Sequence, residues 1–141
     1  MGVLAGLSLV IISNETDVSV WWLLSLVFYP VADLIWSMAR RLREGVSPLN
    51  PDNQHFHNLL FTWLNAGNQS PIRANNYTGF AVVATFSGAP FLLTMLQVLS
   101  VMDKDWFFVV MGQWVLYIVG SKYLNDRLCV LPAATVRNVT T

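Results

Sequence analysis

The sequence carries little charge. Only 11% of its 141 residues are Asp, Glu, Lys or Arg, whereas soluble domains contain about 25%. The eight basic and eight acidic residues cancel, which excludes a strongly basic nucleic-acid-binding protein. Cys129 is the single cysteine, so the chain cannot form an internal disulfide.

Apolar residues are abundant instead. They make up 55% of the chain, and the mean hydropathy is +0.51. Both values are typical of an integral membrane protein. Four apolar stretches predict an all-α, polytopic membrane helix bundle of about four transmembrane helices. Those helices are predicted at about residues 2–13, 18–36, 79–101 and 106–124.

The first of these stretches is too short to cross a bilayer, which needs roughly 20 apolar residues. A signal peptide would begin with basic residues, yet no Lys or Arg precedes Arg40. We therefore interpret residues 2–13 as a truncated membrane helix, which predicts a chain opened inside a longer protein.

The cations predict the orientation. Residues 37–78 are predicted to form one long loop, and residues 125–141 a tail. Seven of the eight Lys and Arg residues lie in the loop or near the C-terminus, and Lys104 lies in another connection. Since cytoplasmic segments carry the excess of Lys and Arg, the loop and the tail are predicted to be cytoplasmic.

Asp33 is a carboxylate near the end of the second predicted helix, three residues after Pro30. A charge at membrane depth is costly, so it normally faces a partner or a watery cavity. Asp33 and Arg40 lie seven residues apart, on nearly the same helical face. Two interpretations remain open: a hydrated or arginine-paired interfacial residue, and a functional membrane carboxylate.

A basic helix end follows Asp33. Residues 37–44 are predicted to continue the helix beyond the membrane, with Gly45 as a left-handed cap. The turn-forming run 47–53 comes next, and Asn50 or Asp52 is predicted to cap a short helix that leads into Trp63. The cations of the basic end are Arg40, Arg41 and Arg43.

His55 and His57 are the only histidines. In a turn they could share a metal ion, but on a helix they would diverge by about 200°. No Cys or acidic cluster adjoins them, which argues against a structural zinc site. Binding of phosphate or protons and simple solvation in a loop both remain open.

One run of about thirty residues resembles the last large cytoplasmic loop of the polyprenyl-phosphate N-acetylhexosamine-1-phosphate transferases, which are related to the phospho-MurNAc-pentapeptide translocase. That family has an Asp in the helix, an Arg-rich exit, Ser-Pro, Pro-Asp-Arg and His-x-His-His. The chain has Asp33, then Arg-Arg-Leu-Arg-Glu-Gly at 40–45, Ser-Pro at 47–48, and Pro-Asp-Asn-Gln-His-Phe-His-Asn at 51–58. Asn53 and Asn58 stand where the family often has Arg and His.

The resemblance implies an enzyme of the bacterial inner membrane. Such an enzyme transfers a sugar-1-phosphate from a UDP-sugar to a polyprenyl phosphate lipid and releases UMP, the first membrane step of O-antigen, capsule or wall-polymer synthesis. It also implies Mg²⁺, whose ligands lie in earlier loops of such enzymes. We assign no catalytic residue and no metal ligand here. The residues expected to contact substrate are His55, His57, Asn58, Arg40, Arg41 and Arg43.

The chain would cover only the C-terminal part of such an enzyme, and its partners would include the missing N-terminal portion. Because the family's catalytic carboxylates are absent, we expect no activity from the chain alone. A small non-catalytic membrane subunit is the main alternative. In a transporter-like bundle Asp33 and the histidines would relay protons, but its polar groups should then lie within the membrane rather than in a long loop.

Overall fold

The computed structural model describes residues 11, 14, 16–47, 54–66 and 70–130, and every element within the described ranges is helical. The all-α class is therefore confirmed for these residues. The helices are α1 (Val20–Leu26), α2 (Phe28–Arg43), α3 (Phe56–Ala66), α4 (Pro71–Val83), a π-helical turn (Ala84–Gly88), α5 (Ala89–Met95) and α6 (Trp106–Val130).

Two helices are long and apolar enough to span a membrane. The first runs from Pro71 to Met95 through the π-helical turn, and the second from Trp106 to Cys129. Helices α1 and α2 meet this criterion together, as a pair bent by 77°. The described residues thus contain two candidate spans, or three with the bent pair. The predicted helix at 2–13 and the predicted caps Asn50 and Asp52 lie outside the described residues.

The predicted start of the third span at 79 is wrong. The helix begins at Pro71, eight residues earlier, because Ser70 caps it. The Ser70 hydroxyl accepts a hydrogen bond from the Arg73 backbone N–H at 3.4 Å, and proline is favoured in the first helical turn. The predicted loop at 37–78 is correspondingly interrupted by the end of α2, by α3 and by the start of α4.

Two other predicted boundaries of the spans also differ. The third helix ends at Met95 rather than at 101, and Gln97 just after it has a φ of 55°. The last helix begins at Trp106, as predicted, but continues to Val130 instead of stopping at 124. The first six residues of the predicted tail, 125–130, are therefore helical.

The basic end of α2 agrees with the prediction. The helix runs to Arg43, and Gly45 follows with a φ of 69°. The Val46 backbone N–H donates to the Arg41 carbonyl at 3.0 Å, as in a helix that ends through a left-handed glycine. The predicted short helix after the turns is also present, as α3.

A sharp bend at Val27 separates α1 from α2, where the sequence predicts one uninterrupted span over 18–36. Pro30 accounts for the break, because it has no N–H for the Leu26 carbonyl four residues earlier and its ring clashes there. The Ser87 hydroxyl donates to that carbonyl instead, at 2.8 Å. The freed backbone group is thus satisfied by a neighbouring helix, as membrane proteins require.

The buried side-chain amide of Gln113 donates hydrogen bonds to both irregular segments, the bend between α1 and α2 and the π-helical turn. Gln113 of α6 donates through Nε2 to the Ser25 carbonyl, at 3.0 Å, and to the Phe86 carbonyl in the π-helical turn, at 2.7 Å. Buried carbonyl groups without a donor are costly. Gln113 therefore stabilises the bend and the π-helical turn together.

An aromatic core lies where α2, the π-helical turn and α6 meet. Phe28 and Phe86 stack with their ring centres 5.8 Å apart, and Tyr117 packs beside them in the same cluster. Helix α3 joins this core through Phe56, which lies so close to Gly120 that a Cβ there would approach its ring to 3.0 Å. Gly120 thus allows α3 to pack against α6.

Candidate functional site

The Asp33 carboxylate is the centre of the candidate site. It is only 8% exposed. Its Oδ1 accepts the Tyr117 hydroxyl at 2.7 Å and the Phe56 backbone N–H at 3.0 Å. Its Oδ2 lies 2.7 Å from Nδ1 of His55. One side chain of α2 therefore holds the start of α3 and the middle of α6.

These contacts bear on the interpretation of Asp33 as a hydrated interfacial residue. A hydrated interfacial carboxylate would face water, whereas this one is buried and accepts donors on both oxygens. A buried carboxylate is tolerated when donors surround it. Asp33 therefore connects the histidine segment to the helix bundle.

The two histidines lie side by side. Their rings are stacked, with centres 5.8 Å apart and planes 12° from parallel. They do not diverge, because His55 lies just before α3 and only His57 lies within it. The His55 carbonyl accepts the Leu59 N–H at 3.0 Å, so His55 occupies the helix-capping position.

His57 has its own partner. Its Nδ1 lies 2.9 Å from the Tyr29 hydroxyl, and both residues line a cavity of about 640 Å³ beside α4. Asn75 and Asn76 line the same cavity, and none of its lining residues is Asp, Glu, Lys or Arg. The cavity is thus suited to a neutral polar group.

The three predicted arginines lie in different environments. Arg41 is buried, and Arg43 is exposed. Arg40 donates to the Gln54 side chain and lines a second cavity, of about 200 Å³, which the histidines do not reach. The structure therefore brings His55 and His57 together and places Arg40 in a separate cavity.

Asn58 follows the histidines on α3 and is half-buried. Its backbone carbonyl accepts the Thr62 hydroxyl at 2.8 Å, within the helix. This contact involves the main chain, so the expected substrate contact of the Asn58 amide stays a prediction.

Tyr29 and Tyr117 were missed by the sequence analysis. Each lies in an apolar helix, where aromatic residues are common and do not by themselves indicate a functional site. A buried tyrosine hydroxyl nevertheless needs a hydrogen-bond partner. The presence of tyrosine rather than phenylalanine at these two positions therefore indicates a buried hydrogen bond, but it does not indicate which residue is the partner.

The described residues do not fit a magnesium site. In that part of the chain, no group of three or more His, Cys, Asp or Glu residues is arranged to hold a metal ion. Mg²⁺ prefers several oxygen ligands, whereas three donors already occupy the oxygens of Asp33. We therefore derive no reaction step through a metal ion.

Comparisons with known proteins confirm the resemblance over part of the chain. The chain is 44% identical over 43 residues to an undecaprenyl-phosphate α-N-acetylglucosaminyl 1-phosphate transferase of Yersinia pestis. It is 42% identical over 45 residues to that of Escherichia coli K12, and 40% identical over 45 residues to that of Salmonella typhi. No family model and no solved structure matches.

The similarity is confined to one segment. It covers 30% of this chain and 11% of the Yersinia pestis protein, and 32% and 11% for the Escherichia coli protein. The match therefore spans about a tenth of the length of these relatives. Their names describe these relatives as undecaprenyl-phosphate α-N-acetylglucosaminyl 1-phosphate transferases.

Proposed function

We propose that this chain contributes the histidine segment to an enzyme that transfers a sugar-1-phosphate from a UDP-sugar to a polyprenyl phosphate and releases UMP. The segmental similarity to transferases of this kind supports the proposal. The observation that carries it is the 2.7 Å contact between Asp33 and His55. A solvated loop histidine would need no buried carboxylate to orient it.

The histidine pair has the character of a binding surface. Each ring uses Nδ1 inside the protein, His55 with Asp33 and His57 with Tyr29. Nε2, on the opposite side of each ring, has no hydrogen-bond partner within the described residues and is left for a ligand. Imidazole nitrogens bind phosphate oxygens and sugar hydroxyls through hydrogen bonds.

The neutral cavity next to His57 suits the sugar. Asn75 and Asn76 offer amide donors and acceptors, and Val82 and Val83 supply an apolar wall. An N-acetylhexosamine combines hydroxyl and amide groups with a methyl group, so both kinds of surface would be used. The phosphates would then lie toward the histidines.

The transfer itself needs groups that the described residues do not supply. In the proposed reaction an oxygen of the lipid phosphate forms a bond to the β-phosphorus, and the bond from that phosphorus to the bridging oxygen breaks, so that UMP leaves. Phosphoryl transfers of this kind commonly use Mg²⁺ to neutralise the charge on the phosphates, and within the described residues no group of three or more His, Cys, Asp or Glu could hold such an ion. We therefore propose that this chain binds and orients substrate, and that it is inactive alone.

A proton-relaying transporter is less well supported by the geometry. Asp33 and His55 are hydrogen-bonded, as are His57 and Tyr29, but the two histidines meet through stacked rings. A proton relay needs a continuous chain of hydrogen bonds. The rings of His55 and His57 stack instead of sharing a hydrogen bond, so the chain is interrupted between the Asp33–His55 pair and the His57–Tyr29 pair.

The proposal is tested by joining the chain to the remainder of the Escherichia coli relative and measuring UMP release from UDP-N-acetylglucosamine with undecaprenyl phosphate. We expect activity from the hybrid and none from the chain alone. His55→Ala and His57→Ala should each lower kcat/KM by about ten- to a hundredfold, because a hydrogen bond to a charged group contributes about 1.5–3 kcal/mol.

Lys104→Gln, at the opposite end of the bundle, is the matched control and should leave turnover unchanged. A hybrid that inserts normally and keeps full activity in both histidine variants would contradict the proposed binding role. Activity in the chain alone would contradict the proposal that the reacting groups lie elsewhere.

A further inference from the structure

Tyr29 is a second residue of α2 that holds the histidine segment. It lies one helical turn before Asp33, on the same face of the helix. Its hydroxyl lies 2.9 Å from Nδ1 of His57, whereas the Asp33 carboxylate lies 2.7 Å from Nδ1 of His55. The two stacked histidines are therefore held by groups of different chemistry, a phenol and a carboxylate.

These two groups place the imidazole hydrogen differently. An ionised carboxylate only accepts hydrogen bonds, so the contact with Asp33 requires a hydrogen on Nδ1 of His55. A phenol carries a hydrogen of its own, which needs an acceptor when the hydroxyl is away from water. Within the described residues the acceptor beside the Tyr29 hydroxyl is Nδ1 of His57.

The oxygen of Tyr29 also interacts with the main chain of His57. The His57 backbone N–H belongs to the first turn of α3, where N–H groups have no partner within the helix. This N–H acts as a hydrogen-bond donor to the Tyr29 oxygen. Tyr29 thus holds His57 at two points, accepting from its backbone and donating to its ring.

We propose that Tyr29 is a positioning residue, which keeps Nδ1 of His57 unprotonated and the hydrogen of the neutral ring on Nε2. His55 has the opposite arrangement, with its hydrogen on Nδ1 and a lone pair on Nε2. The pair therefore offers a ligand one acceptor, at His55, and one donor, at His57. Both rings are accessible, since His55 is half-buried and His57 is exposed.

The two histidines then bind different substrate atoms, an assignment that rests on the proposed function. A phosphate oxygen without a hydrogen is an acceptor, so it pairs with the Nε2–H of His57, at the edge of the neutral cavity. A hydroxyl group of the sugar nucleotide donates to the lone pair of His55. Two rings with the same arrangement of hydrogens would not distinguish these groups.

The positions of the hydrogens are measured without substrate, on the 141-residue chain in detergent. The method is ¹⁵N NMR of labelled histidine side chains at about pH 8.5, where an ordinary imidazole is neutral. We expect a protonated Nδ1 at His55 and a protonated Nε2 at His57. A hydrogen on Nδ1 of His57 would overturn the proposal.

Tyr29→Phe tests the contact itself. The variant keeps the ring in the aromatic core, where its centre lies 5.6 Å from that of Phe86. The Nδ1 signal of His57 should shift to that of an imidazole nitrogen without a hydrogen bond. An unchanged His57 spectrum in folded Tyr29→Phe protein would also overturn the proposal.

The effect on the substrate is measured as UMP release by the hybrid transferase. Tyr29→Phe should lower kcat/KM about three- to tenfold, the range of one neutral hydrogen bond. Tyr123→Phe, on the exposed side of α6, is the matched control and should leave kcat/KM unchanged. In a His57→Ala background, Tyr29→Phe should have no further effect, because it acts through the imidazole.

Equal losses from Tyr29→Phe in both backgrounds would mean that the hydroxyl acts through packing, which would overturn the positioning role. A hybrid without activity would contradict the proposed function instead. The spectra of the isolated chain decide the role of Tyr29 by themselves, so the two failures are distinguishable.

Discussion

The Tyr117 hydroxyl donates to Oδ1 of Asp33 at 2.7 Å, between residues 84 positions apart in the sequence. Both side chains are buried. The same carboxylate also receives His55 and the Phe56 backbone N–H. A contact between two apolar helices therefore determines where the histidine segment is held.

Tyr117→Phe tests this relationship. The variant keeps the ring in the aromatic core but removes one donor from a buried carboxylate, so we expect a loss of about 1–3 kcal/mol in the free energy of unfolding. Thermal or dodecyl sulfate unfolding in detergent micelles, followed by circular dichroism, measures it. Tyr123→Phe, on the exposed face of the same helix, should change stability by less than about 0.5 kcal/mol. Equal effects of the two variants would show that the hydroxyl contact is not stabilising.

Asp33 should determine which nitrogen of His55 carries a proton. An ionised carboxylate has acceptor oxygens only, so the 2.7 Å contact between Asp33 Oδ2 and His55 needs a hydrogen on Nδ1 of His55. The chain has only two histidines, so ¹⁵N NMR of labelled histidine side chains gives two sets of signals. We expect a protonated Nδ1 at His55.

Asp33→Asn should remove the acceptor that holds the proton on Nδ1 of His55, because the amide NH₂ group cannot accept a hydrogen bond. The His55 signals should then shift toward those of a free imidazole. Tyr29→Phe is the matched control: it should alter the His57 signals and leave His55 protonated on Nδ1. An unchanged His55 spectrum in folded Asp33→Asn protein would mean that the carboxylate does not orient the ring.

The structure explains which features the sequence could predict. Asp33 and the histidines could be singled out, because a carboxylate in an apolar helix is unusual and the histidines are few. Their contacts with Tyr29 and Tyr117 could not be predicted, since hydrophobic periodicity contains no information on which residues pair across 28 or 84 positions. Trp106 marks a clear change from polar to apolar residues, so the start of α6 was predicted correctly.

The missed helix start has a different cause. Arg73, Asn75 and Asn76 lower the local hydropathy, so the segment before 79 was interpreted as loop. Ser70-Pro71 is nonetheless a recognisable helix start, with a capping hydroxyl followed by proline. The bend was likewise signalled by Pro30, but a proline alone does not distinguish a kinked span from a straight one.

Gln113 should be important for the bent span. Gln113→Leu keeps a side chain of similar size but leaves the Ser25 and Phe86 carbonyls without their donor. Each carbonyl left without a donor costs about 1–3 kcal/mol. Because the variant also removes the buried Gln113 Oε1, which has no partner within the described residues, we expect a net destabilisation of about 1–3 kcal/mol. Met111→Leu, on the exposed side of the same helix, is the control. If the two variants unfold at the same denaturant concentration, the carbonyls have other partners.

The orientation in the membrane is a separate prediction. Arg40 and Lys122 line one cavity and therefore lie at the same end of the bundle. The opposite end is marked by the hydrogen bond from the Ser19 N–H to the Val101 carbonyl, at 2.8 Å, and Lys104 lies next to it. Because cytoplasmic segments carry most Lys and Arg residues, we expect the end with Arg40 to face the cytoplasm.

In a Cys129→Ser background, a membrane-impermeant thiol reagent should label Lys104→Cys from outside intact cells and should label Ser70→Cys only after the cells are opened. Labelling of Ser70→Cys in intact cells would reverse the orientation and place the histidines on the side without UDP-sugars.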